Sequence, residues 1–273
     1  MTIITISREL AALGDETAQE LAKLLGYRFV DKHTLEDTIK SYGVVGQKFE
    51  KYDERKPSFF ASLSQDRDDY LHYLKTAMLS EAVKGSCVFI GRGANVIFRG
   101  VPGVISVFLV APADIRLERV KSYFHCDDKR ARQVIEQSDH DRVGFHRYFF
   151  DVDWKDGANY HLTLNTGSLH PAVCAQIIKN LRDHTVSSDQ EAQHDKRLKE
   201  LSLGQKVVHH ILYEKGIPIH FMEASVADGR VDLYGVANSQ ALVEAAVNAA
   251  KEIAPDTAVQ SDIQVVQEHN VMP

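Results

Sequence analysis

Hydrophobic and polar positions follow a regular order over roughly the first 180 residues. Short apolar runs alternate with longer segments in which apolar residues recur every three or four positions. Strands alternating with amphipathic helices are typical of a parallel sheet covered by helices on both faces. We therefore predict a three-layer α/β domain over residues 1–183. The predicted strands, four or five of which fit one parallel sheet, are residues 3–7, 27–30, 86–90, 104–110 and 161–167.

The pattern changes after a polar segment, residues 184–196, which is nearly free of large apolar side chains and is predicted to be a linker. Beyond it the pattern predicts a helix, two strands, a second helix that starts at Ser239, and a third strand. The two strands are joined through Asp228 and Gly229, a pair that favours a hairpin. We therefore predict a small α+β domain of order α-β-β-α-β over residues 197–273.

The composition excludes several classes of protein. Of the 273 residues, 44% are hydrophobic and 26% are charged, which is ordinary for globular domains. A net charge of −6 gives no support to a nucleic-acid surface. Three scattered cysteines and irregularly spaced histidines predict neither a disulfide framework nor a metal site. The sequence has no apolar run of membrane-spanning length and no secretory pattern at its start, so we expect a cytoplasmic protein.

The turn after the first predicted strand stands where a phosphate-binding loop begins, between a buried strand and an amphipathic helix. Such a loop reads G-x-x-x-x-G-K-[ST]. Here Arg8 and Leu13 hold the two glycine positions, Gly14 holds the lysine position, and Asp15 holds the hydroxyl position. The turn therefore predicts the fold of a phosphate-binding domain, while its chemistry has to be argued from other residues.

Arginines follow the predicted strands where an anion would bind. Transfer of a phosphoryl group needs positive charges and backbone N–H donors around it. Arg8 ends the first strand, Arg92 follows the strand at residues 86–90, and Arg142 and Arg147 precede the last strand. Ligands of open parallel sheets bind at the carboxyl ends of strands. We therefore expect Arg8, Asp31 and Arg92 to converge there.

Each of these positions also has a structural interpretation. Taken alone, Arg8 and Glu9 favour a surface ion pair, and only the joint pattern of the motifs favours a phosphate contact. The Gly-Arg-Gly sequence around Arg92 is also common in turns that end a strand. Arg142 and Arg147 lie five residues apart, so a bend near Gly144 is needed for both to reach one ligand.

Several spaced motifs give a resemblance that covers residues 2–182. The chain resembles the cytidylate-kinase-like family of P-loop nucleoside monophosphate kinases. The motifs that carry the resemblance are residues 4–10 (ITISREL), 27–32 (YRFVDK), 52–57 (YDERKP), 91–94 (GRGA), and 139–142 with 147–149 (DHDR and RYF).

This resemblance implies an activity and a set of site residues. The reaction is transfer of the γ-phosphoryl group of ATP, with Mg²⁺, to CMP, dCMP or a similar monophosphate. Arg8, Arg142 and Arg147 are the implied catalytic residues, with Arg142 and Arg147 in a mobile lid. Asp31, Lys32 and Arg92 are the implied acceptor-binding residues. The donor phosphates would contact Ser7, Arg8, Ala11, Ala12, Leu13, Gly14 and Asp15.

The loop departs from the family at the residues nearest the donor phosphates. The family commonly has a Gly-Ser-Gly-Gly run where this chain has residues 11–14 (AALG). A side chain at positive φ costs roughly 1–2 kcal/mol, so we expect residues 11–13 to reshape the loop. Glu9, Asp15 and Glu16 also add negative charge. The alternative is therefore a catalytically impaired module that senses a nucleotide or another phosphorylated ligand.

The carboxyl-terminal part resembles a BON domain over residues 198–268, through residues 229–239 (GRVDLYGVANS). That family is linked to phospholipid surfaces or to partner binding. Residues 197–273 contain six Lys and Arg against ten Asp and Glu, which disfavours attraction to anionic lipid. We therefore expect this domain to act in regulation, in homo-oligomer formation or in binding a protein partner.

Overall fold

The computed structural model describes residues 1–42 and 66–266. The motif at residues 52–57 lies outside the described residues. Contacts divide the chain into two compact units, Met1–Asp195 and Lys196–Pro273.

The first unit contains a five-stranded parallel sheet, which confirms the predicted α/β class. Its strands have the order β2-β3-β1-β4-β5. They are β1 (Ile3–Arg8), β2 (Arg28–Val30), β3 (Cys87–Ile90), β4 (Ile105–Val110) and β5 (Leu162–Asn165). The helices are α1 (Gly14–Leu25), α2 (Lys32–Ser41), α3 (Asp66–Ala82), α4 (Ala94–Ile97), α5 (Ala113–Phe124), α6 (Asp128–Phe150) and α7 (Pro171–Thr185), with a 3-10 turn at Gly157–Asn159.

The core of this unit explains why its central strands are almost wholly apolar. Ile4 and Ile6 of β1 have 1% or less of their surface exposed and pack with α1 and α7 on one face of the sheet. Successive residues of a strand point to opposite faces. Thr5 and Ser7 therefore face the other layer, where both are buried. Burial of both faces is what a parallel sheet under two helical layers requires.

The polar segment that we predict to be a linker is mostly helical in the structure. α7 ends at Thr185 and α8 (Ser188–His209) begins three residues later. The backbone amide of Ser187 donates to the side chain of Gln190 at 3.0 Å, and the amide of Gln190 donates to the Ser187 hydroxyl at 3.3 Å. This reciprocal capping box starts α8. The sequence signal for the start of α8 is therefore a Ser followed three positions later by Gln, which the polar composition of the segment does not reveal.

The second unit has the predicted order α-β-β-α-β. After α8 and a π-helical turn at His210–Glu214 come β6 (His220–Ala227), β7 (Arg230–Ala237), α9 (Gln240–Ile253) and β8 (Ala258–Val265). β7 is the central strand, antiparallel to β6 and parallel to β8. Across residues 1–42 and 66–266, none of the helices combines the length and the hydropathy needed to cross a bilayer.

Candidate functional site

The sheet topology places three predicted site residues along one edge. Ile6 of β1 pairs with Ile90 of β3, so Arg8 and Arg92 both lie two residues beyond this pair. Val30 of β2 pairs with Phe89, which places Asp31 just past the same edge. The strand order β2-β3-β1 makes these strands neighbours. Asp31, Arg92 and Arg8 therefore lie at the carboxyl ends of three adjacent parallel strands.

The loop between β1 and α1 takes a backbone conformation that glycine favours, although it contains no glycine before Gly14. Ala11 has a φ of 60° and Leu13 a φ of 52°. Both residues are in the left-handed conformation, at a cost of roughly 1–2 kcal/mol for each of the two. Strain of this kind persists only where the surroundings enforce it. That residues 11–13 reshape the loop relative to the family stays a prediction.

Three side chains hold this loop through its carbonyl groups. Arg116 donates its Nε–H to the carbonyl of Leu10 at 2.8 Å, and Arg119 donates Nη1–H to that of Ala11 at 3.0 Å. The Thr166 hydroxyl donates to the carbonyl of Ala12 at 3.0 Å. We call Arg116, Arg119 and Thr166 the carbonyl clamp. Because three consecutive carbonyls of the loop are bound by side chains, the clamp explains how the strained conformation is maintained.

The amide groups of the loop contrast with its carbonyls. Helix α1 begins after Leu13, and no side chain caps it. Within the described residues, acceptors are found for the amides of Glu9, Ala12 and Thr17, but not for those of residues 13–16. The first amides of a helix, together with the helix dipole, form a site that favours an anion. The amino end of α1 is therefore available to a phosphate group.

Arg8 brings a positive side chain to this helix end. A Cβ built on Gly14 would lie 2.4 Å from Cγ of Arg8, so the arginine side chain crosses directly over Gly14. Nε of Arg8 lies 4.0 Å from Oδ2 of Asp15, whose side chain is 62% exposed. Gly14 holds the lysine position of a phosphate-binding loop. The structure therefore places an arginine from the preceding strand over the residue that replaces the lysine.

A buried ion network joins the loop to α6, and the sequence did not predict it. Arg116, 5% exposed, makes a bidentate pair with Asp139 of α6 at 2.7 and 3.0 Å. The same guanidinium lies 3.3 Å from Glu9, which also accepts a hydrogen bond from the Ala111 amide. Glu9 therefore pairs with Arg116 instead of forming the surface ion pair with Arg8. An available signal was the spacing of Arg116 and Arg119, which puts both on one face of α5.

A second cluster surrounds Arg92, which is 6% exposed. Its guanidinium donates to the Tyr70 hydroxyl at 3.1 Å and lies 3.8 Å from a carboxylate oxygen of Glu36. The same oxygen lies 3.6 Å from Nζ of Lys32. The structure thus brings together the predicted residues Lys32 and Arg92, and adds Glu36 and Tyr70 to them.

Asp31 has a local role beside this cluster. Its carboxylate accepts hydrogen bonds from the amide and the hydroxyl of Thr34, both at 2.9 Å, and so caps α2. Burial raises the pKa of Asp31, but the hydrogen bonds from Thr34 outweigh it and hold the pKa below its ordinary value. Asp31 is therefore ionised and fixes the start of the helix that carries Lys32 and Glu36.

The turn that carries Arg92 is itself strained. Gly91, Arg92 and Gly93 all have positive φ, between 56° and 72°. A Cβ on Gly93 would lie 2.3 Å from the ring of Phe150 at the end of α6. The Gly-Arg-Gly sequence therefore forms a turn that ends β3, as its structural interpretation predicts. The same turn positions the buried Arg92.

Three further predicted site residues, Ser7, Arg142 and Arg147, show no side-chain hydrogen bond or ion pair to Arg8, Arg92 or the loop carbonyls within the described residues. Ser7 faces the opposite side of the sheet from Arg8, where it is buried. α6 is a continuous helix through Gly144, the residue near which a bend is needed for Arg142 and Arg147 to reach one ligand. Residues five apart on a continuous helix point about 140° away from each other. Arg142 donates a hydrogen bond to the Ser138 hydroxyl on its own helix, and the exposed side chain of Arg147 has no hydrogen bond or ion pair to any residue in the described ranges.

The chain is similar to two protein families and to several solved structures. The profile of the Cytidylate kinase-like family matches residues 3–168, and that of the BON domain matches residues 200–267. An uncharacterized protein from Eubacterium ventriosum ATCC 27560 has a TM-score of 0.54 at 21% identity, covering 67% of this chain and 99% of that chain. A shikimate kinase from Bacteroides thetaiotaomicron has a TM-score of 0.41 at 16% identity, covering 67% and 98%. A search of curated proteins found no match.

Proposed function

Because the chain belongs to the cytidylate kinase-like family, we propose that it transfers the γ-phosphoryl group of ATP to a nucleoside monophosphate, CMP, dCMP or a similar acceptor. The observation that carries this proposal is the arrangement at the amino end of α1. The Arg8 side chain crosses Gly14, beside a helix end with uncapped amides. The guanidinium of Arg8 would therefore provide the positive charge that a lysine at the position of Gly14 provides in other phosphate-binding loops.

The donor side fits a polyphosphate and a metal ion. The amides of residues 13–16 and the guanidinium of Arg8 would hold the phosphates, and the carboxylate of Asp15 would hold the metal ion. Mg²⁺ commonly takes only one or two protein carboxylates, with water and phosphate oxygens completing its shell. A Mg²⁺ site of this kind needs only one carboxylate from the protein. Within the described residues, no group of three or more His, Cys, Asp or Glu is able to hold a metal. ATP and Mg²⁺ would supply the phosphoryl group and the positive charge that bridges its oxygens.

The acceptor side is proposed to be the cluster around Arg92. Its guanidinium and the ammonium group of Lys32 both lie near one oxygen of Glu36. An acceptor phosphate would exchange with this carboxylate as the partner of the two cations, since phosphate offers bidentate acceptors to a guanidinium. Arg142 and Arg147 remain proposed lid residues that stabilise the charge developing during transfer.

The test is a coupled phosphotransfer assay of the purified chain with Mg-ATP and each common nucleoside monophosphate. We expect turnover with a cytidine monophosphate, and we expect Arg92→Ala to raise KM for the acceptor more than tenfold. Arg147→Ala separates a lid role from a surface role, because it would lower kcat only if the helix brings Arg147 to the reacting phosphates. Complete inactivity beside an active control kinase would refute the enzyme proposal.

The second candidate function is a nucleotide sensor without turnover. The observation that favours it is the loop without glycine at residues 11–13, in which Ala11 and Leu13 hold positive φ. Calorimetric titration with a non-hydrolysable ATP analogue separates the two functions. Binding together with turnover supports the kinase, binding without turnover supports the sensor, and the absence of both refutes each of them.

For the second unit we propose a role in regulation or self-association. Phe221 is 85% exposed and lies at an irregularity in the β6–β7 pairing, with a φ of 52°. An exposed aromatic side chain at a strained backbone position suits a contact with a partner or a second copy. Light scattering of the wild type and Phe221→Ser tests this, because a loss of higher-mass species is expected only if Phe221 lies in the interface. The cytoplasmic location remains a prediction from the sequence.

A further inference from the structure

The two edge strands of the sheet in the second unit differ in how their edges are protected. β6 pairs with β7 through a register irregularity between His220 and Glu223, where Phe221 has a φ of 52°. β8 pairs with β7 in a single register along its whole length, Ala258–Val265. Natural sheets protect their edges with bulges, lysine and proline. Along these eight residues β8 has no bulge, lysine or proline, so its edge is open to pairing with another strand.

The outer edge of β8 presents a row of backbone groups. The amide of Val266 donates to the carbonyl of Ala237 in β7 at 2.9 Å. Successive residues of a strand direct their backbone groups to opposite edges, so those of Val259, Ser261 and Ile263 point away from β7. The amide of Ile263 agrees with this, since it donates to the hydroxyl of Ser261 at 3.3 Å. In the part of the chain that the structure describes, no strand pairs with this outer edge.

The sequence of β8 is complementary to a second, antiparallel copy of itself. When a two-fold axis relates two strands, residue i faces residue j and residue j faces residue i. With the axis at Ser261, the backbone groups that point outward face one another. Val259 then lies opposite Ile263, and Gln260 lies opposite Asp262. The first pair is apolar, and in the second the amide N–H of glutamine can donate to the carboxylate.

Other positions of the axis fit less well. An axis at Asp262 would place this carboxylate directly opposite its own copy, and like charges in that position are destabilising. An axis at Ile263 would leave the first residues of β8 unpaired, because the strand ends at Val265. The axis at Ser261 therefore combines a nearly complete overlap of the two strands with matched side-chain pairs.

The side chains that would meet are suited to such an interface. Gln260 and Asp262 are exposed and can reach a second copy. Ile263 belongs to the apolar core of the second unit, and Val259 packs against that core. We infer that two copies of this chain associate through antiparallel pairing of β8 about Ser261, which joins their sheets into one. This inference names the surface for the self-association proposed above and rests on that proposal.

The test is sedimentation equilibrium of the full chain over a range of concentrations. Gln260→Glu places a carboxylate opposite Asp262 of the second copy, whereas Gln260→Lys places an ammonium group there. Because the two-fold axis repeats this pair, the difference in charge counts twice. We expect the wild type to form a dimer, with a Kd at least tenfold higher for Gln260→Glu than for Gln260→Lys at low salt. High salt is expected to reduce this difference.

A second variant and a stability readout separate loss of pairing from damage to the fold. Gln260 also lies beside Asp232 of β7, so melting followed by circular dichroism checks that both Gln260 variants are folded. Ser261→Pro removes an amide that points away from β7, and proline is tolerated at such edge positions. We expect this variant to keep its fold and to be monomeric.

The outcomes distinguish the interface from self-association in general. A wild type that stays monomeric at its highest soluble concentration would refute self-association itself, and with it the pairing of β8. A dimer that survives Ser261→Pro and responds equally to both Gln260 variants would overturn the interface at β8 alone. Loss of the dimer in Phe221→Ser but not in Ser261→Pro would likewise assign the interface to the other edge of the sheet.

Discussion

Replacing Ala11 by glycine tests the strained conformation of the loop. Ala11 has a φ of 60°, whereas Ala12 beside it does not have a positive φ and is completely buried. Ala11→Gly therefore removes a Cβ from a position where the Cβ is strained. Ala12→Gly removes the same atom from a position where it is packed and unstrained. The two variants carry the same substitution at adjacent positions.

The expected free energies follow from these two environments. At Ala11, glycine relieves a strain of roughly 1–2 kcal/mol and loses about 0.5–1 kcal/mol through the greater backbone freedom of the unfolded chain. The methyl group of Ala11 is partly buried, so its loss removes part of the gain. Ala11→Gly is thus expected to lie between no change and about 1 kcal/mol more stable. Ala12→Gly loses the same entropy and about 0.8 kcal/mol of burial, and is expected to be about 1.5 kcal/mol less stable.

Urea denaturation followed by tryptophan fluorescence measures this difference in the relevant unit. Trp154, the single tryptophan of the chain, is 1% exposed within the first unit and therefore reports on its unfolding. We expect the midpoint of Ala11→Gly to equal or exceed that of the wild type, and the midpoint of Ala12→Gly to fall with an unchanged m-value. Equal destabilisation by both variants would refute a left-handed conformation at Ala11.

Three further predictions use the same fluorescence assay. Arg119→Met leaves the carbonyls of Ala11 and Thr166 without their donor, so the free energy of unfolding is expected to fall by about 1–3 kcal/mol; an unchanged value would show that the carbonyl clamp does not hold the loop. Gly93→Ala combines positive φ with a ring clash and is expected to cost over about 2 kcal/mol, whereas Gly100→Ala, with a φ of 77° and open space, carries only the strain of roughly 1–2 kcal/mol; equal losses would refute the clash. Burial lowers the pKa of His194 below 6.5, so its contribution is complete above pH 6.5 and is lost as the pH falls towards the folded-state pKa. The wild type should therefore lose more stability than His194→Gln between pH 7.5 and 5.5, and parallel curves would contradict this.

Local signals in the sequence were sufficient for most of the fold. The apolar runs at residues 3–7 and 104–110 predict buried strands, and Gly26 predicts the end of α1, where it has a φ of 65°. The polar segment at residues 184–196 contains the start of α8, which composition alone did not indicate because the signal is the capping box of Ser187 and Gln190. Short-range pattern thus identified most elements, but not the helix within this segment.

The site depended on contacts that sequence patterns do not contain. The hydroxyl of Thr166 holds the carbonyl of Ala12 across 154 residues, and Arg116 reaches Leu10 across 106. On α5 these arginines resemble a solvated charged face. Whether Ala11 adopts positive φ is decided by such distant donors, so the loop could not be predicted from its own residues. The arginines at the strand ends could be predicted, because parallel topology brings strand ends together.

The most direct test of the account is an NMR titration of the full chain with Mg-ATP, observing the backbone amides of Leu13, Gly14 and Asp15. The account predicts that these amides shift more than those elsewhere in α1, and that Arg8→Ala weakens the binding at least tenfold. If saturating Mg-ATP leaves these three amides unmoved, the amino end of α1 does not bind phosphate and the central claim is contradicted.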